Sequence, residues 1–155
     1  MIEIRPATPQ DASAVSALLG ELGYEVAPEA AALRLQRLNH TGSDPTFLAH
    51  ENSQALALVA LHRCRMLQYA KPVVRITALV VHDRARRRGI GRLLIDHTLR
   101  WAKQTGCELV ELTSALDRAE AHAFYRDVGF TASSLRFHAT LIEASGNEKI
   151  GRAHV

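Results

Sequence analysis

Little in this chain suits it to hold a metal, cross a membrane or staple itself with disulfides. Cys64 and Cys107 are the only thiols among 155 residues, and they lack the close spacing of a metal site. Two such thiols fit a reduced, cytoplasmic setting better than a disulfide framework. No apolar run approaches the ~20 residues that a membrane span requires. The start, Met1-Ile2-Glu3-Ile4-Arg5, has neither the basic n-region nor the apolar h-region of a secretory leader. Repeats, linkers and low-complexity segments are also missing, and 47% apolar content excludes disorder for the body of the chain. One domain with a real core is the expectation.

Basic character is also scarcer than it first looks. The formal charge is +3, but the final residues Ile150-Gly151-Arg152-Ala153-His154-Val155 can be encoded by ATC GGA AGA GCA CAC GTC. Preceded by the AG that ends one lysine codon, that string begins a widely used short-read sequencing adapter. Residues 149–155 are therefore expected to be a non-native tail behind a single domain at 1–148. Without Lys149 and Arg152 the 19 basic residues become 17 against 16 acidic ones, leaving +1. Global charge then says little about nucleic acid, and a local arginine cluster says more.

What is present reads as strands alternating with helices. Ile2–Arg5 alternates as a strand before Pro6. Thr8-Pro9-Gln10-Asp11 is a helix start, followed by Ala14, Val15, Leu18, Leu19 and Leu22 on one face and Gly23 as the stop. Pro28 opens a second helix carrying Ala32, Leu35 and Leu38. Phe47–His50 and Ala55–Leu61 flank a hairpin turn. Residues 63–71 form a loop, and Val73–Val81 is a β-branched strand. The next helix shows Gly91, Leu94, Ile95, Thr98 and Ala102 on one face, ending at Gly106. Leu109–Thr113 is a fifth strand. Asp117–Val128 is a helix with Ala121, Phe124, Tyr125 and Val128 aligned, and Leu135–Leu141 is expected as a terminal strand beside the fifth.

The segment from Leu79 to Gly91 organises the rest. An apolar strand stops at His82-Asp83, four arginines follow between Arg84 and Arg88, and Gly89-Ile90-Gly91 opens a helix. Main-chain N–H groups at a helix start, with the positive end of its dipole, favour an anion. Arg92 on the first turn adds charge, so the stretch reads as a phosphate cradle. A dinucleotide-binding turn would need glycine where Leu94 stands, and a P-loop would need Gly-Lys-Ser/Thr where Gly91-Arg92-Leu93 stands. Aromatic content of 5% makes a nucleic-acid patch the poorer reading of the arginines.

The pattern Arg86-x-x-Gly89-x-Gly91 after a strand resembles the acetyl-CoA-binding signature of the GCN5-related N-acetyltransferases (GNAT). A second stretch resembles the same family: Thr113-Ser114, then Arg118, then Ala121-His122-Ala123-Phe124-Tyr125 and Gly129-Phe130. The resemblance covers the chain from Arg5-Pro6 to the Leu135–Leu141 segment. It implies a GNAT-type α/β fold, a mixed and mostly antiparallel central sheet flanked by about four helices. It implies acetyl-CoA as co-substrate, no metal, and a small-molecule or peptide amine as acceptor, with neither nucleic acid nor membrane as partner. Dimers are common in the family, so a homodimer is among the expected states.

Site roles follow from the same resemblance. Main-chain groups of Leu79, Val80 and Val81 would pair with the pantetheine arm. N–H groups of Arg86, Arg87, Arg88, Gly89, Ile90, Gly91 and Arg92 would hold the pyrophosphate, with Arg118 and Phe124 also at the cofactor. Tyr125 matches the tyrosine that protonates the leaving thiolate. One departure concerns the base: many relatives carry Glu where Thr77 stands, and a hydroxyl cannot take a proton at neutral pH. Glu111, or His62 through water, is the substitute. The expected activity is N-acetyl transfer in a ternary complex, the alternative being a non-catalytic acyl-CoA-binding regulatory module. The acceptor stays open, since its wall comes from the first helices and the 63–71 loop.

Overall fold

The computed structural model describes residues 1–114 and 118–142. Main-chain packing divides it into a unit spanning Met1–Glu111 and a second beginning at Leu112. Five strands form one sheet in the order β1-β2-β3-β4-β5: Glu3–Pro6, Thr46–Glu51, Gln54–Cys64, Val73–Val81 and Leu109–Leu112. Four α-helices accompany them, α1 Ala12–Leu22, α2 Pro28–Thr41, α3 Ile90–Gln104 and α4 Ala119–Asp127. The mixed α/β class is as anticipated. Among the described residues no helix is long and apolar enough to cross a membrane. The anticipated 149–155 tail lies outside the described residues, as does Asp117.

The first four strands pair antiparallel in sequence order. Asn52 and Ser53 turn the β2–β3 hairpin with φ of 52° and 65°, the left-handed pair that suits the twist of a two-residue loop. β5 breaks the pattern. Glu108 N–H donates to Pro72 O at 3.0 Å and the Arg75 guanidinium donates to Glu111 at 2.6 Å. These links advance together along both strands, so β5 runs parallel to β4.

Alternation across the strands sorts the core into two layers. Leu48, Leu58 and Val80 lie in register and pack with Val15 and Leu18 of α1 and Ala31 and Leu35 of α2. Phe47 lies on the opposite face, where its ring meets His97 and Trp101 of α3 at 4.4 and 6.5 Å. Leu94, Ile95 and Thr98 of α3 are fully buried, and the Thr98 hydroxyl donates to Leu94 O at 2.8 Å. Each buried leucine contributes about 2 kcal/mol of transfer free energy.

Two expectations need correction. Leu38 is exposed, so α2 buries Ala31 and Leu35 instead of a stripe reaching its last turn. The Leu135–Leu141 segment is not a strand. Leu135, Phe137 and Leu141 do alternate, but they are exposed. A period-two pattern becomes a strand only when a neighbouring edge pairs with its main chain, and no described strand does so.

Candidate active site

The β4 ladder holds the first element of the site. Ala60 pairs with Ala78 and Leu61 with Ile76, so Thr77 is an extra residue on β4, a β-bulge. Bulges bend a strand and free one residue from the ladder. The Thr77 hydroxyl donates to Ala60 O at 3.1 Å. The bulge falls where β4 parts from β5, whose last residue, Leu112, follows the Arg75–Glu111 link. Beyond it, the Leu79–Val81 edge on that side meets no described strand of the first unit. Val80 keeps its side chain in the core, which leaves main-chain groups as what this edge offers.

Past Val81 the chain forms a short turn at Asp83–Ala85 and then the arginine loop. Ala85 and Ile90 are buried at 1% exposure each. They pin both ends of the loop, so Arg86, Arg87 and Arg88 stand in solvent. Gly89 caps α3 with φ +78°, and a Cβ placed there would meet nothing within 4 Å. The space above the first turn of α3 is therefore open, and glycine fills the left-handed position without strain. Gly91 lies inside α3 and is not a left-handed residue. Arg87 reaches φ +66° without being glycine.

Two acids that the sequence patterns did not mark hold this loop. Glu21 of α1 accepts from Asp83 N–H at 2.9 Å, and it lies 3.1 Å from His82 Nε2 and 3.5 Å from Arg86. His82 Nδ1 accepts from Arg84 N–H at 3.1 Å, so its other nitrogen carries the proton toward Glu21. Glu51, at the hairpin turn, takes Arg88 through both oxygens at 3.0 and 3.1 Å, and that arginine holds its carboxyl below the usual range. Glu21 and Glu51 are separated from their partners by 62 and 37 residues, beyond any local periodicity.

The remaining anticipated residues divide between the units. Glu111, at the end of the first, faces Arg75. On the other side of β4, His62 of β3 lies opposite Arg75 and is bonded through Nδ1 to Asp44 at 2.5 Å. The second unit carries Arg118, Phe124 and Tyr125 on or beside α4. Arg118 precedes the helix but makes no side-chain cap. The Tyr125 ring lies edge-on to Phe124 and Phe130 at 5.5 and 6.2 Å. Burial pushes its phenol above the ordinary value, and the charge of Arg118 pulls it partly back. A phenol so placed keeps its proton at neutral pH. Gly129, at φ +104°, ends the helix.

The first unit thus brings together a strand edge, an open glycine-capped helix start and an exposed arginine loop. The sequence model of the acetyltransferase (GNAT) family matches residues 13–130. The chain belongs to the GNAT acetyltransferase family. It is 32% identical over 147 residues to an aminoalkylphosphonate N-acetyltransferase of Salmonella typhimurium, covering 90% of this chain and 91% of that one. Glucosamine-6-phosphate N-acetyltransferase from Arabidopsis thaliana shares the fold with a TM-score of 0.80 at 20% identity, covering 92% of this chain and 99% of the other. An aminoglycoside N-acetyltransferase solved in complex with CoA does so at 0.80 and 16%, covering 92% and 96%. GNAT enzymes use acetyl-CoA, and the open Gly89 position and the arginine loop fit its phosphates.

Proposed function

We propose that this GNAT enzyme transfers acetyl from acetyl-CoA to the primary amine of a small molecule, by direct attack in a ternary complex. The observation that carries the reading is the β4-to-α3 stretch, with its bulge at Thr77, its open left-handed Gly89 and a Leu79–Val81 edge that meets no described strand of the first unit. There Arg86 Nε donates to Val81 O at 3.1 Å. Main-chain groups of Leu79, Val80 and Val81 would take the pantetheine amides as an added strand would. N–H groups from Arg86 to Arg92, including Gly89, Ile90 and Gly91, would take the pyrophosphate, with Arg86, Arg87 and Arg88 adding charge. Arg118 and Phe124 are assigned to the cofactor from the motif they share with the family.

Acetyl-CoA supplies the acyl group as a thioester. A main-chain N–H on β4 near the bulge polarises the carbonyl, and Tyr125 donates its proton to the departing thiolate. The raised Tyr125 pKa supports that role, because the group stays protonated until it is needed. Aminoalkylphosphonates are the first acceptors to try, since a relative of nearly equal length carries that name.

Thioester cleavage with a panel of amines, alongside calorimetric CoA binding, tests the reading. Tyr125→Phe is expected to lower kcat about 100-fold and leave CoA affinity within twofold. Gly89→Val is expected to abolish CoA binding. Tight CoA binding with no cleavage for any amine would instead assign the chain as an acyl-CoA-binding regulatory module, the reading that Thr77 in place of a carboxylate favours.

A further inference from the structure

We propose that His62, oriented by Asp44, is the base that takes the proton from the acceptor ammonium, an assignment that rests on the acyl-transfer reading above. A primary amine is protonated at neutral pH and has no lone pair to attack with, so some group must accept that proton first. Thr77 is engaged with Ala60 O and is not a base. Glu111 holds the Arg75 guanidinium at 2.6 Å, and protonating it would break an ion pair.

The Asp44–His62 pair is built differently. Asp44 lies just before β2, where the chain still runs beside β3: Leu61 N–H donates to Pro45 O at 2.9 Å and Arg63 N–H to Ser43 O at 2.8 Å. One Asp44 oxygen accepts from the Thr41 and Ser43 hydroxyls at 2.7 and 3.0 Å. The other faces His62 Nδ1 at 2.5 Å. Burial pushes the Asp44 carboxyl up, but the hydrogen bonds from Thr41, His62 and Ser43 outweigh it, so the group sits below the usual range. An ionised Asp44 only accepts, so Nδ1 carries the hydrogen and the Nε2 lone pair is left outward. No described group bonds Nε2, and the ring is 44% exposed.

Position supports the same role. His62 lies two residues along β3 from Ala60, on the same face, and Ala60 O receives the bulge hydroxyl. Across the ladder it faces Arg75, whose charge is turned toward Glu111. Asp44, Arg75 and, behind it, Glu111 are the charged groups that face it. Arg63 points away to Thr105 O. Imidazole is the side chain suited to exchange a proton near neutral pH.

The step balances. Nε2 takes a proton from the ammonium, the freed nitrogen lone pair forms the N–C bond at the thioester carbonyl, and the C–S bond breaks. The thiolate takes the Tyr125 proton. The second proton of the attacking nitrogen is lost as the amide forms and replaces the one Tyr125 gave, so an amide and a thiol leave and the proton on the imidazolium passes to solvent.

The test is the pH dependence of kcat/KM with aminoethylphosphonate and the amine panel, for the full chain and for His62→Gln, His62→Asn, Asp44→Asn and Glu111→Gln. His62→Gln is expected to lower kcat about 100-fold or more, to leave CoA affinity within twofold and to replace the enzyme's own acidic limb by a rise that follows only the ionisation of the amine used. Its residual rate should climb with pH as free amine accumulates. Asp44→Asn is expected to cost less than His62→Gln, because the Asn side-chain oxygen can still accept from Nδ1. His62→Asn, which keeps an N–H toward Asp44, guards against a folding loss. An acidic limb that keeps the same position for amines of different basicity in both His62 variants overturns the proposal, as does loss of the enzyme's own limb in Glu111→Gln. If the unaltered chain cleaves acetyl-CoA with no amine, the acyl-transfer reading falls first and takes this proposal with it.

Discussion

Arg87 carries a conformation that its side chain disfavours. At φ +66° an L-residue with a Cβ is strained by about 1–2 kcal/mol, and glycine is not. Glycine in turn loses more entropy on folding, by about 0.5–1 kcal/mol. Arg87→Gly is therefore expected to gain about 0.5 kcal/mol in a urea titration while weakening CoA binding through the lost charge. An unchanged or lower midpoint would show that the loop relaxes around Arg87. Strain kept beside an anion site fits a loop shaped for its ligand. The sequence shows the arginines and both glycines, but nothing in an arginine marks which of four adopts a left-handed turn.

Among elements, the junction of β1 with α1 depends on one ion pair. Arg5 donates twice to Asp11 at 2.8 Å each, and that pairing brings the Asp11 carboxyl down from 3.8 to about 2. Because the folded value lies below the unfolded one, the pair stabilises fully above pH ~4, and the contribution fades toward pH ~2. Arg5 is partly exposed, so Asp11→Asn is expected to cost only about 1 kcal/mol at pH 7. Urea titrations of the two proteins should converge as pH falls to ~2, and a gap that persists there would assign the effect to packing. Glu21 links α1 to the arginine loop in the same way. Glu21→Gln is expected to weaken CoA binding several-fold, because Asp83 N–H, His82 and Arg86 lose their shared anion, with little change in thermal midpoint. A drop in midpoint with unchanged affinity would reverse that assignment.

For the whole molecule, what the sequence made legible was whatever is local. Caps and glycine stops placed α1 to α4 within a few residues, because each helix end is decided by neighbours in the chain. The Leu79–Gly91 stretch was readable for the same reason. What escaped was non-local. Glu21 and Glu51 reach the loop from other elements, the bulge at Thr77 is one more β-branched residue in a β-branched run, and Leu135–Leu141 had the alternation of a strand without a paired edge. His97 is shifted by a tertiary cause first, its burial, and then by the charge of Arg100 on the same helix, and both hold its imidazole below the ordinary value. Its folded value lies below 6.5, so stability is expected to decline as pH falls through and below ~6.5, and His97→Gln should flatten that decline. The bulge has one further consequence. Ile76 and Ala78 already pair with adjacent residues of β3, so excising Thr77 would close the ladder into an ordinary one with every partner retained. Loss of a residue from a central strand normally slips the frame and ruins the fold. Here the shortened chain is expected to melt near the temperature of the parent and yet turn over no acceptor, separating in one deletion the residue count that folding needs from the one that chemistry needs.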